Sequence, residues 1–115
     1  MIQLTPQMEI LAAKDPIDFR KGIDTISGLC RQKFSEDPLS GKVFVFYNKR
    51  RTSLKILVHD RQGYWLIMKR LSKGSFKCLP THNGIMTKLA ATELQVLLYN
   101  GNYKNLNLQK NWRDN

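Results

Sequence analysis

Three strand-like runs, set in the most cationic part of the chain, constrain the fold more than any other feature of the sequence. They are Val43 to Tyr47, Leu54 to His59 and Tyr64 to Arg70. The first is continuously apolar, as a central strand covered on both faces would be. In the second, Leu54, Ile56 and Val58 fall on one side of an extended chain. Polar connections join the runs: NKRRTS at 48–53 and DRQG at 60–63, with Gly63 supplying positive φ for a tight turn. The pattern predicts an antiparallel meander. Residues 42 to 77 also carry ten Lys or Arg and one acid, Asp60, so they hold nine of the ten net positive charges of the 115-residue chain. The best sheet former is therefore also the most basic segment.

Around this centre the other elements are shorter. Met8 to Ala13 suits a short strand at a sheet edge, ended by Lys14-Asp15-Pro16. From Phe19 the apolar residues Phe19, Ile23, Ile26, Leu29, Cys30 and Phe34 recur at helical spacing, with Asp15 or Asp18 as the cap. Gly22 and Gly28 weaken that helix unless they let it approach the sheet closely. SEDPLSG at 35–41 is a loop by composition. Phe76 to Leu79 and Ile85 to Lys88 suit short returning strands, with a loop at 80–84. Thr92 to Tyr99 suits a second helix with Leu94, Leu97 and Leu98 on one face, stopped by Asn100-Gly101. The expected architecture is α+β: an antiparallel β-meander sheet of about four or five strands with two helices packed on it around one core. Residues 1–103 form a single domain. Residues 104–115 form an Asn- and Lys-rich tail with Trp112 as an isolated anchor.

A net charge of +10 makes nucleic acid the first partner to consider, ahead of anionic membranes and acidic proteins. Cys30 and Cys78 are widely spaced, the N-terminus lacks a basic region followed by an apolar core, and no apolar run approaches membrane-spanning length. Two free thiols in a reducing cytoplasm are expected.

The tip cations Lys49, Arg50 and Arg51 are the strongest local signal. Guanidinium forks match phosphate oxygens and guanine edges, lysine is a point charge for phosphate, and a β-ribbon fits a major groove. The plainer reading is a solvated turn. Lys69, Arg70, Lys73 and Lys77 form a second cluster beyond Tyr64 and Trp65. Those two aromatics are read as sheet-face residues rather than as base-stacking platforms. Whether both clusters lie at one end of the sheet is open. Arg20 and Lys21 stand beside Asp18 and Asp24, and an Arg20–Asp24 pair along the helix is the simple expectation.

Enzymatic readings are thin. His59-Asp60 are strand neighbours whose side chains point apart, no serine elbow occurs, and no phosphate- or dinucleotide-binding glycine loop is present, so no cofactor is expected. Cys78 and His82 stand four apart without a second ligand pair, so no metal is expected. Asp15, Asp18 and Asp24 are explained by capping and pairing. A nuclease built on Asp18 or Asp24 is the remote alternative.

The runs DFRKGID at 18–24, DPLSGKVFVFYNKRRTSLKILVHDRQGYWLIMKRLSKGSF at 37–76 and ELQVLLYNG at 93–101 resemble one family closely. It is the small accessory protein of IS-sixty-six-type bacterial insertion sequences, encoded by the second open reading frame and often called TnpB, distinct from the RNA-guided nuclease of that name. The similarity spans roughly residues 8 to 103. It implies a role in transposition beside a larger transposase that carries the catalytic acids. It places Asp18, Arg20, Lys21, Gly22, Asp24, Arg50, Arg51, Gly63, Lys69, Arg70, Gly74 and Phe76 on motif positions, and it brings no catalytic residue. Departures are Ala90-Ala91 where the family has Thr-Pro, His59 where an aromatic is common, and the tail past Tyr103. The expectation is a non-catalytic accessory factor that binds DNA at the element ends through Lys49, Arg50, Arg51, Lys69, Arg70, Lys73, Lys77, Arg20 and Lys21. The alternative is an adaptor that binds the transposase with little DNA contact. Self-association is left open, and no membrane is expected.

Overall fold

A computed structural model describes residues 7–77, 79 and 85–100. In chain order the elements are β1 (Ile10–Ala13), α1 (Ile23–Gln32), β2 (Val43–Tyr47), β3 (Ser53–His59), β4 (Tyr64–Arg70), β5 (Met86–Leu89) and α2 (Ala91–Leu98). The strands make one five-stranded sheet in the order β4-β3-β2-β1-β5. β2, β3 and β4 form the expected antiparallel meander, with Tyr47 opposite Leu54 and Ser53 opposite Arg70. The sheet is mixed rather than purely antiparallel, because β1 runs parallel to β2, pairing Ile10 with Val43. β1 is also no edge strand, since β5 pairs antiparallel on its other side. The 29-residue connection through α1 is what permits a parallel return, which needs a crossover rather than a hairpin.

Period two divides the core into two, one on each face, instead of the single core expected. On one face Leu11, Ala13, Phe44, Phe46 and Leu57 pack against Ile26 and Cys30 of α1. On the other, Ile10, Ala12, Val43, Val45, Tyr47, Leu54, Ile56 and Val58 pack against Leu94 and Leu97 of α2. β2 is buried at every position, as its unbroken apolar run requires. β3 is buried on both sides too, because Leu57 faces α1 while its alternating partners face α2.

α1 starts four residues later than the helical spacing suggests. Phe19 joins the α1-side core from the preceding loop, so apolar spacing there reflects a shared core rather than a shared helix. The N-cap is Gly22, with no side-chain cap from Asp15 or Asp18. A Cβ at Gly28 would meet nothing within 4 Å, so no close approach requires that glycine. At the β3–β4 turn Gly63 does not adopt positive φ. Asp60 shapes the turn instead, its Oδ1 accepting the Gln62 and Gly63 amides at 2.7 and 2.9 Å. Phe76 and Leu79 are buried against the α2-side core but belong to no strand. At α2, Ala90 cannot cap with its side chain, but the Ala90 amide donates to Glu93 Oε1 at 2.8 Å. The expected 80–84 loop, Cys78 and His82, Gly101 and the tail with Trp112 lie outside the described residues.

Candidate nucleic-acid interface

The parallel β1 decides where the cations go. Because β1, β2 and β4 all end on the same side of the sheet, residues 14–22, 48–52 and 71–77 emerge together there. The two basic clusters therefore share one end, with Arg20 and Lys21 beside them. Residues 14–22, 48–52 and 70–77 hold nine Lys or Arg (Lys14, Arg20, Lys21, Lys49, Arg50, Arg51, Arg70, Lys73 and Lys77) against two acids, Asp15 and Asp18. The opposite end is balanced: residues 33–42 and 60–63 carry three cations and three acids. The sheet thus has one cationic end and one neutral end.

Hydrogen bonds fasten the first segment to the end of β2 and the third segment to the tip. The Ile17 amide donates to the Tyr47 carbonyl at 3.0 Å, and the Tyr47 hydroxyl donates to the Lys14 carbonyl. The Leu71 amide donates to Thr52 O at 2.8 Å and the Phe76 amide to Arg51 O at 2.7 Å. Asn48 organises the tip: its Oδ1 accepts the Thr52 and Ser53 amides, and its Nδ2 donates to Thr52 Oγ1. Between the first loop and the tip, Pro16, Ile17, Asp18, Phe19, Asn48, Lys49 and Arg50 line a cavity of about 420 Å³. Arg51 sits at φ +61°, where a residue with a Cβ is disfavoured and glycine is the usual choice. A guanidinium is thus kept at the tip against local preference.

The nine expected contact residues are not equivalent. Lys49, Arg50, Arg51, Arg70, Lys73, Lys77 and Lys21 are exposed, and among the described residues none of them lies within salt-bridge distance of a carboxylate. Arg20 is engaged, but with Asp18 rather than Asp24. Its Nη2 donates to Asp18 Oδ2 at 2.8 Å and its Nε to Oδ1 at 3.1 Å. That guanidinium fork holds the Asp18 carboxyl well below its usual 3.8, at about 2. Lys69 faces α2: its ammonium donates to the Leu98 carbonyl and lies 5.1 Å from the Tyr99 ring centroid. It closes the helix C-terminus, where a cation meets unpaired carbonyls.

Three residues at this end went unnoticed in the sequence. Lys14 belongs in the sequence to the break after β1, and the fold sets it at this end. Lys55 is buried, and its ammonium donates to the Phe19 and Lys21 carbonyls at 2.9 and 3.1 Å and lies 4.9 Å from the Phe19 ring centroid. Its signal was a lone lysine between Leu54 and Ile56. Tyr99 is 83% exposed beside the 75–77 segment, to which Asn100 is hydrogen-bonded. Tyr64 and Trp65 stand at the opposite, neutral end. Tyr64 lies edge-on to His59 at 4.9 Å, and Trp65 Nε1 donates to Asp60 Oδ2 at 2.7 Å. Among the described residues no group of three metal-ligating side chains occurs, and no helix is long and apolar enough to cross a membrane.

Comparison with known proteins agrees with the motif resemblance. The family model described as IS66 Orf2 like protein matches residues 8–107. The Uncharacterized protein y4jC of Sinorhizobium fredii (strain NBRC 101917 / NGR234) is 33% identical over 86 residues, covering 75% of this chain and 74% of that one. The Uncharacterized protein y4hO of the same strain is 26% identical over 113 residues, covering 98% and 96%. No solved structure matches. With its family model spanning nearly all of the described fold, the chain belongs to the IS66 Orf2-like family of insertion-sequence accessory proteins.

Proposed function

We propose that this protein is a non-catalytic accessory factor of transposition that grips DNA with the cationic end of its sheet and so helps a separate transposase engage the ends of the element. The observation that carries the reading is the gathering of nine cations and two acids onto three segments anchored by hydrogen bonds at one end of the sheet. Lys21, Lys49, Arg50, Arg51, Arg70, Lys73 and Lys77 form the phosphate-contacting set. Arg20 is partly offset by Asp18, and Lys69 serves the fold. Rigid anchoring of the segments means little order need be imposed on binding.

DNA affinity measured across a salt series tests this. Each phosphate contact contributes a slope of about −0.9 in log K against log salt, so several contacts give a steep line. Arg51→Gly separates function from folding. It should leave stability unchanged or raise it by up to about 1 kcal/mol, because glycine relieves the left-handed backbone, while it weakens DNA binding and flattens the slope by about one unit. A flat salt response, or unchanged affinity in Arg51→Gly, would count against the proposal.

The second reading, an adaptor that binds the transposase, draws on apolar side chains left exposed on β4, Trp65 and Met68. Co-purification with the transposase that survives nuclease, together with no DNA binding by the isolated protein, would favour it.

A further inference from the structure

The two edges of the sheet are treated differently. β5 is four residues long, and its exposed Lys88 lies 3.7 Å from Glu9. Short length and charge are the usual ways of keeping an edge unpaired. β4 is seven residues long, and its first five, Tyr64-Trp65-Leu66-Ile67-Met68, carry no charge, glycine or proline. Among the described residues no strand pairs with its outer side. Met68 is 55% exposed and Trp65 44%.

The strand is also complementary to itself. Turned antiparallel about Ile67, it sets Tyr64 opposite Arg70, Trp65 opposite Lys69, Leu66 opposite Met68, and Ile67 opposite Ile67. Each pair lies on one face, because residues of equal parity share a side. The apolar centre meets itself, Tyr64 meets the exposed Arg70 guanidinium, and Trp65 meets the aliphatic stem of Lys69, whose ammonium stays on the Leu98 carbonyl. A parallel arrangement would instead bring the two cationic ends together. The antiparallel one sends them to opposite extremities.

We infer that β4 is a homodimerisation edge, at which a second copy of this chain adds its own β4 antiparallel about Ile67 to form a continuous ten-stranded sheet. Such a dimer carries one cationic end at each extremity. If those ends bind DNA as proposed above, it holds two duplexes apart; the pairing itself does not depend on that reading. A single strand pair is small beside a standard interface of about 1,600 Å², so association is concentration-dependent.

Sedimentation equilibrium of the DNA-free protein over a concentration series tests the inference. The wild type should approach twice the chain mass. Met68→Glu should raise the dimer dissociation constant at least about tenfold, by setting a charge against Leu66 of the second copy. At concentrations where both proteins are monomeric its unfolding midpoint should match the wild type's, since Met68 is exposed and the new carboxylate faces Lys55 without like-charge repulsion. Ile67→Cys should form a 67–67 disulfide on oxidation, located by peptide mass, since directly opposed residues fall within disulfide reach. A wild type that remains monomeric, a Met68→Glu protein that dimerises as well as wild type, or a dimer in which Ile67→Cys does not crosslink would overturn it. None of these readouts involves DNA, so failure here leaves the DNA reading standing.

Discussion

Lys55 sits mid-strand in β3 with its ammonium between two loop carbonyls, and nothing charged lies opposite it in the register, where β4 places Met68. The lysine therefore joins sheet to loop, drawing Phe19 and Lys21 onto the α1 face. Removing the donor leaves two carbonyls short of a partner in a partly buried site. Lys55→Met should accordingly lower stability by about 1–3 kcal/mol and speed amide exchange at residues 19–22; denaturant titration and hydrogen exchange would check both. Nearby, the Asp18–Arg20 fork gives a pH prediction. A carboxyl lowered in the folded state contributes stability above its unfolded pKa and loses it as pH falls through the folded value. The fork should thus persist at pH 4 and open near pH 2. NMR titration should place the Asp18 midpoint at about 2, with a return toward 3.8 in Arg20→Gln. A wild-type midpoint near 3.8 would contradict the pairing. The role of Lys55 was not legible in the sequence, because it depends on a loop folding back over a strand more than 30 residues away. The Asp18–Arg20 pair is local, and Arg20 takes Asp18 rather than Asp24 because residues 18–20 precede α1 instead of lying on it.

At the scale of elements, the meander was readable and the rest only in part. Val43 to Tyr47 is apolar at every position because β2 is covered by both helices, and β3 and β4 follow through short polar turns. Local pattern sufficed there. β1 is four residues long, and nothing in ILAA says whether it pairs parallel or at an edge. That choice is made by the crossover through α1. α1 begins later than its apolar spacing suggests because Phe19 serves the same core from outside the helix. Gly28 is the position where helix propensity and packing can be separated. With open space at its Cβ, Gly28→Ala should stabilise the protein by about 0.5–1 kcal/mol, read as a higher denaturation midpoint; a loss of stability would mean that the α1–sheet contact is tighter than the geometry shows.

For the whole molecule, the separation of charge follows from topology. Three segments far apart in sequence become neighbours because a parallel β1 brings the 14–22 loop to the side where β2 and β4 end. The clustering of Lys49, Arg50 and Arg51 could be seen in the sequence. Its union with Arg70, Lys73 and Lys77 could not, since it needs the strand directions. Nor could the withdrawal of Lys69, which α2 claims at its C-terminus. The most direct test is an amide NMR titration of the protein with a short DNA duplex at low salt. The expected result is that shifts concentrate in residues 14–22, 48–52 and 70–77, while residues 33–42 and 60–63 stay unmoved. Shifts centred on 60–63, spread evenly over the surface, or absent altogether would contradict a DNA grip at the cationic end.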